Sequence, residues 1–289
     1  MLDNTSIEIK QRIKKQLSVV GNLPSIPHII SEVSDMLDDE KTSASDLCKV
    51  ISQDQSIATK ILSVANSPMY GLPRRVATIE FAIVIIGLEH IRSLLLALSM
   101  MEVFKAKNTP DWNHNSYWKH SLMVGTSAKR IADDLHYPKS GEVFTAGLLH
   151  DLGIVVMQKY MKPEFKKIIE LVKNENVTHL AAEKMVLGYT HEDIVEFMFE
   201  KWNFPSSINE AVLYHHRPSF SEKNPVLASL VHLVDFMTQK SEAGVFQWDS
   251  NYQLDFNIIN ILGFGSIENF EQFVFRYDNL LKTHFESLN

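Results

Sequence analysis

Gly147-Leu148-Leu149-His150-Asp151-Leu152-Gly153-Ile154-Val155-Val156-Met157 sets an adjacent histidine and aspartate between two apolar blocks. The flanking residues read as core, so the pair is expected to be buried. A buried carboxylate without a partner carries a heavy desolvation cost or must neutralise. A metal cation or another histidine removes that cost. Partners for His150 and Asp151 are therefore expected on the elements that pack against this one.

Four other places supply them. Asp235 interrupts the apolar run Val226-Leu227-Ala228-Ser229-Leu230-Val231-His232-Leu233-Val234-Asp235-Phe236-Met237, and His232, three residues earlier, shares its helix face. His120 opens a helical run with Leu122, Met123, Val124 and Ile131. His215-His216 follow Ile208, Ala211, Val212 and Leu213 and precede Pro218. Adjacent helical residues point roughly 100° apart, so both rings reach one cluster only at a helix end or around two metal centres. His191 lies near a predicted helix N-terminus in Leu187-Gly188-Tyr189-Thr190-His191-Glu192-Asp193. A lone helical histidine is ordinarily a satisfied core or surface group, the reading given to His114, His136, His179 and His232. Asp133-Asp134 reads as solvated surface charge. His120, His150, Asp151 and Asp235 together predict a cluster, because buried polar groups need partners. Hydrogen bonding among themselves or a bound metal would each provide them.

Around this centre nearly every segment repeats apolar residues at three- and four-residue spacing, which predicts an all-α fold. Ile7 to Leu17 reads as a short amphipathic helix carrying Lys10, Arg12, Lys14 and Lys15, and Leu23 to Pro27 as a proline-rich entry. The following helix places Ile29, Ile30, Val33, Met36 and Leu37 on one face, and Asp38 to Lys41 reads as a solvated turn. Ser43 with Asp46 predicts a capping box, and Asp54 an N-cap for Gln55 to Ala65. Helices are expected from Ile79 to Ile86 and from Leu88 to about Phe104, with Gly87 between them. The polar stretch Lys105 to Asn115 suggests a boundary. The expected organisation is an N-terminal helical subdomain (1–108), a helical core (109–240) and a C-terminal extension (241–289) of one or two helices without identifiable chemistry.

The chain has 289 residues, is 45% apolar and carries a formal charge of −7. That is enough for a sizeable core, and it argues against general nucleic-acid binding, which needs a dense basic face. Arg74-Arg75 and the basic N-terminal helix give that class little support. The single cysteine, Cys48, reads as a small buried hydrophobe and fits a reducing, cytoplasmic setting. No signal peptide and no run of about 18 apolar residues is evident, so no membrane span is expected.

The order His120, His150-Asp151, Asp235 across successive helices resembles the HD superfamily of metal-dependent phosphohydrolases. The finer likeness is to the HDOD family. It rests on Leu23-Pro24 with Ile26-Pro27, Ile61-Leu62, Asn66-Ser67-Pro68-Met69-Tyr70-Gly71, Ala82-Ile83 and Gly87. Glu183, Gly188, His191, Trp202-Asn203-Phe204-Pro205 and His215-His216 add to it in the second half. The resemblance covers roughly Leu17 to Lys240. It implies an N-terminal helical subdomain packed on an HD-type helical core, and a regulatory role in bacterial signalling through a partner protein or small ligand. Many HDOD proteins have lost the metal-binding residues; here the core set is retained. His191 and His215-His216 are similar to the extra histidines of the HD-GYP phosphodiesterases, which cleave cyclic di-GMP. The resemblance thus implies that His120, His150, Asp151, His191, His215, His216 and Asp235 hold one or two divalent ions (Fe, Mn, Zn or Ni), or none if the site is a relic.

Three departures separate the chain from that activity. Ile154 stands where HD-GYP proteins have a phosphate-contacting lysine, and Ser116 stands where a carboxylate commonly precedes the first histidine. Arg217-Pro218-Ser219-Phe220 replaces the Gly-Tyr-Pro segment. The leading expectation is a regulatory module binding signalling proteins. The alternative is a phosphohydrolase of nucleotides or cyclic dinucleotides, with Asp151 as its catalytic residue.

Overall fold

The computed structural model describes residues 8, 11–15, 28–37, 39, 41–202, 204–240, 248 and 253–287. Among them every regular element is helical, apart from an isolated antiparallel bridge between Thr109 and Trp112. The proline-rich entry lies outside the described residues, as do much of the expected N-terminal helix and part of the Asp38 to Lys41 turn. Residues 11–15 are helical, with Ile13 fully buried.

The first helices start where the side chains can cap them. Helix α1 spans His28–Leu37, α2 Ala44–Ile51 and α3 Gln55–Ala65. Ser43 and Asp46 form the reciprocal capping box of α2, and Asp54 accepts from Ser56 N and Ile57 N at the start of α3. Asn66 then pins the following turn: its Nδ2 donates to Leu62 O and Val76 O, and its Oδ1 accepts from Val76 N, all at 2.8 Å. Helices α4 (Ile79–Ile86) and α5 (Leu88–Val103) meet at Gly87, whose φ of +93° a side chain would strain. Cys48 is half-buried rather than fully buried, with Sγ 3.7 Å from Ser52 Oγ.

The second half begins with α6 (His114–Asp134) and α7 (Ser140–Leu149). These two helices touch backbone to backbone: a Cβ on Gly147 would sit 2.9 Å from Gly125 Cα, and one on Gly125 would sit 2.9 Å from Phe144 O. Next come α8 (Leu152–Tyr160), α9 (Lys162–Glu175), α10 (His179–Leu187), α11 (His191–Lys201) and α12 (Ser206–Leu213). Helix α13 (Pro225–Lys240) runs through the core, and α14 (Ile258–Ile261) and α15 (Ile267–Ser287) close the described chain.

The stretch Ser140–Tyr160 is long and apolar enough by composition to cross a membrane, a feature that a count of consecutive apolar residues does not find. Its most apolar window is 94% buried inside the fold, which makes it the core layer carrying the His-Asp turn. Asp134 is more than solvated charge: it accepts from Arg130 Nε at 2.9 Å and from the Tyr277 hydroxyl, anchoring α15 on α6.

Candidate metal centre

The His-Asp pair sits in the turn between two helices. Helix α7 ends at Leu149, and α8 begins at Leu152. The first turn of α8 presses on the start of α11: a Cβ on Gly153 would lie 2.2 Å from His191 O. Glycine at 153 is thus a steric requirement for bringing Asp151 beside His191. The close α6–α7 approach likewise sets His120 beside His150, with ring centroids 5.2 Å apart. His191 is the first residue of α11, under a Thr190–Asp193 capping box. His215 and His216 follow the C-terminus of α12, a helix end at which successive rings can turn inward together.

Seven side chains converge. His120 Nε2 lies 3.2 Å from Asp235 Oδ1, 3.3 Å from His150 Nε2 and 3.6 Å from Asp151 Oδ2. His150 Nε2 is 3.3 Å from Asp151 Oδ2 and 3.6 Å from Asp235 Oδ1. Asp151 turns its other oxygen to His191 Nε2 at 3.5 Å and to His215 Nε2 at 3.8 Å. His216 Nε2 is 3.2 Å from His191 Nε2. The ligating atoms form two groups, His120/His150/Asp235 and Asp151/His191/His215/His216, each within 4.8 Å. Asp151 reaches both. All are buried except His216, which is half-buried.

The outward-facing ring nitrogens decide what this cluster can hold. His150 Nδ1 meets Gly147 O at 2.8 Å, and His215 Nδ1 meets Val212 O at 2.7 Å. A carbonyl only accepts, so both Nδ1 atoms carry the proton. His191 Nδ1 faces both oxygens of Glu183 at 3.0 Å. In neutral rings the Nε2 lone pairs therefore point inward, at each other and at two carboxylates. That arrangement is repulsive unless a proton or a cation lies among them. Asp235 Oδ1 is buried and faces two rings without a well-formed hydrogen bond. Imidazole and carboxylate together suit a divalent transition-metal ion, so the residues fit such a group.

Without metal, protons take up part of this role. Burial would lower His150, but Asp151 and Asp235 outweigh it and hold the ring well above its ordinary value. Burial would likewise lower His191, yet Glu183 and Asp151 raise it to about 10. Burial and the neighbouring charged rings push His215 down to about 3. Asp151 is held at about 2 against burial by His150 and His191.

Several groups here have roles around the centre that the sequence does not assign. Glu183 is fully buried and accepts from His191 N at 2.7 Å as well as facing its ring. Glu192, also fully buried, is pushed up to about 7 by burial despite Arg217, whose Nη2 lies 3.3 Å away. His232 joins no ligand group but supports one, its Nδ1 donating to His215 O at 2.7 Å. His179 is a core histidine packed on Trp248, with centroids 4.3 Å apart. The tail is not chemically inert, since Trp248 Nε1 donates to Glu183. Ile154 is fully buried and Ser116 nearly so, and Arg217 is exposed beside His216.

The fold and this centre define a helical protein, among the described residues, built around a buried His/Asp core. The chain belongs to the HDOD domain family, whose pattern matches residues 23–218. An HDOD domain protein of unknown function from Geobacter sulfurreducens superposes with a TM-score of 0.78 at 23% identity, covering 98% of this chain and 99% of its own. A Marinobacter aquaeolei VT8 protein named for signal transduction superposes at 0.73 with 23% identity, covering 99% of this chain and 67% of its own. A Shewanella amazonensis SB2B protein named as a metal-dependent phosphohydrolase superposes at 0.65 with 18% identity, over 98% and 100%. At these identities the likeness speaks to the fold. An uncharacterized protein of Treponema pallidum (strain Nichols) is 23% identical over 232 residues, 78% of this chain. The chain spans about half the length of that curated relative, 45%.

Proposed function

We propose that this chain is a regulatory signalling module whose seven-residue centre holds one or two divalent transition-metal ions in support of partner or ligand binding. One observation carries the metal assignment: His150 and His215 spend Nδ1–H on backbone carbonyls and His191 turns Nδ1 to Glu183, so their Nε2 atoms converge on Asp151 and Asp235. A bound cation would neutralise the two carboxylates and act there as a Lewis acid. Burial favours regulation over turnover. Six of the seven side chains are buried, and the phosphate-contacting lysine position is the buried Ile154. For partner binding, Phe81, Val84 and Leu88 present an apolar surface on α4 and the start of α5, 50%, 61% and 42% exposed.

The second reading, a metal-dependent phosphohydrolase, draws on one feature. Asp151 faces both ligand groups, so its two oxygens could serve a pair of ions of the kind used in two-metal phosphodiester chemistry. On this reading the half-buried His216 and the exposed Arg217 mark the side from which an anionic substrate would approach.

Elemental analysis and a turnover assay separate the readings. The regulatory reading expects Fe, Mn, Zn or Ni in the wild-type protein, none in Asp151→Asn, and no hydrolysis of cyclic dinucleotides, nucleotides or a chromogenic phosphodiester with added Mn. Turnover lost in Asp151→Asn would establish the second reading instead. Absence of metal after loading with all four ions would overturn both.

A further inference from the structure

All seven side chains of the centre lie between residues 120 and 235, yet two of its supports come from beyond α13. Trp248 Nε1 donates to Glu183 Oε1 at 3.0 Å. The same carboxylate accepts from His191 N at 2.7 Å and faces His191 Nδ1 at 3.0 Å. The indole is itself firmly seated: it is buried, stacked on Phe165 with centroids 5.1 Å apart, and packed on His179. The second support is a backbone group. Asp255 N donates to His232 Nε2 at 2.8 Å. That contact makes Nε2 the acceptor, so His232 Nδ1 carries the proton and donates to His215 O at 2.7 Å. Trp248 and Asp255, close in sequence, thus reach two neighbouring histidines of the centre, His191 and His215, through one intermediary each.

We propose that Trp248 and Asp255 are positioning residues of the metal centre, and that the seating of these two residues and metal binding reinforce one another. This rests on the reading that the centre holds a cation. With its Nε2 ligating, the His191 ring becomes a stronger Nδ1–H donor to Glu183, and it needs that carboxylate fixed in place. Trp248 fixes it by occupying the oxygen that would otherwise let the carboxylate rotate away. His232 does the same for the backbone of His215 while Asp255 holds its ring. Anything that tightens one side of such a pair tightens the other by the same factor. The seating of Trp248 and Asp255 therefore responds to whether the centre is loaded.

The test uses the full chain, freed of metal by chelation. Wild type and Trp248→Phe are titrated with Zn and with Mn against a competing chromophoric chelator. Phenylalanine keeps a ring on Phe165 and His179 but lacks the N–H. The expected result is ~10- to 100-fold weaker binding in Trp248→Phe, with the metal-free variant still unfolding cooperatively, at a somewhat lower temperature than wild type because the smaller ring leaves a cavity. Equal affinities would overturn the coupling while leaving the metal centre standing. No binding by wild type would overturn the metal reading itself, and the coupling with it. Hydrogen exchange on wild type gives a readout independent of any substitution in the tail. Metal is expected to slow exchange in the peptide covering residues 253–257, and to leave it unchanged in Asp151→Asn. Unchanged exchange in metal-loaded wild type would also overturn the coupling.

Discussion

At the scale of single residues, this protein separates groups that hold the centre together from groups that let its parts approach. Gly153 belongs to the second kind. A methyl group there would meet His191 O at 2.2 Å, a backbone atom that cannot swing aside. Gly153→Ala should cost about 3 kcal/mol in denaturant unfolding, and should weaken metal retention by moving α8 off α11. A cost near zero would show that the two helix starts are not held this closely. Asp151 belongs to the first kind, facing His120, His150, His191 and His215. The pair His150-Asp151 is legible in sequence because two polar groups stand inside an unbroken apolar run. Glu183 is harder to read. It sits between Ala182 and Lys184 and looks like an ordinary solvated helix residue. The family resemblance includes it without giving it a role, and the local signal is spacing: His179, Ala182, Glu183 and Leu187 form the buried face of α10. Nothing local marks Trp248, whose partner lies 65 residues away.

At the scale of elements, helix starts were the most readable features and long-range ties the least. Ser43 with Asp46, and Asp54, set the starts of α2 and α3 through short-range hydrogen bonds that the sequence spells out. Glu210 shows the opposite case. From α12 it accepts from Lys223 N at 2.8 Å, Ser221 Oγ at 2.9 Å and Asn224 Nδ2 at 2.6 Å, pinning the chain between His215-His216 and α13. Burial would raise its carboxyl, but these donors outweigh it and hold it below its usual range. The stability it contributes is therefore fully present above the unfolded carboxylate value and is lost as pH falls through the lower folded value. Glu210→Gln should destabilise the protein by about 1 kcal/mol at pH 7, allowing for partial exposure. The difference from wild type should shrink towards zero in acid. A difference that persists unchanged in acid strong enough to protonate the folded carboxyl would mean that the charge is not what matters. The α6–α7 contact gives a second test: Gly147→Leu should separate the helices and cost more than Gly153→Ala, read in the same denaturant experiment.

At the scale of the whole molecule, the fold brings histidines and carboxylates from five places in the sequence to one largely buried centre. The all-α class was legible from periodicity, because three- and four-residue apolar spacing persists through almost every segment. The membership of the centre beyond its core came from resemblance. The sequence places His191 and His215-His216 near helix ends but does not show that these ends face Asp151. A metal that binds the native state alone must stabilise it, by about 2.7 kcal/mol at a hundredfold excess over Kd. Loading should therefore raise the melting temperature of wild type by roughly 5 °C or more and leave Asp151→Asn unmoved. Equal melting with and without metal would contradict native-state binding. The most direct measurement is anomalous diffraction from crystals of the metal-loaded protein, recorded at the absorption edge of the loaded ion. The account predicts one or two strong peaks enclosed by His120, His150, Asp151, His191, His215, His216 and Asp235. No peak there after loading with Fe, Mn, Zn and Ni in turn would contradict it.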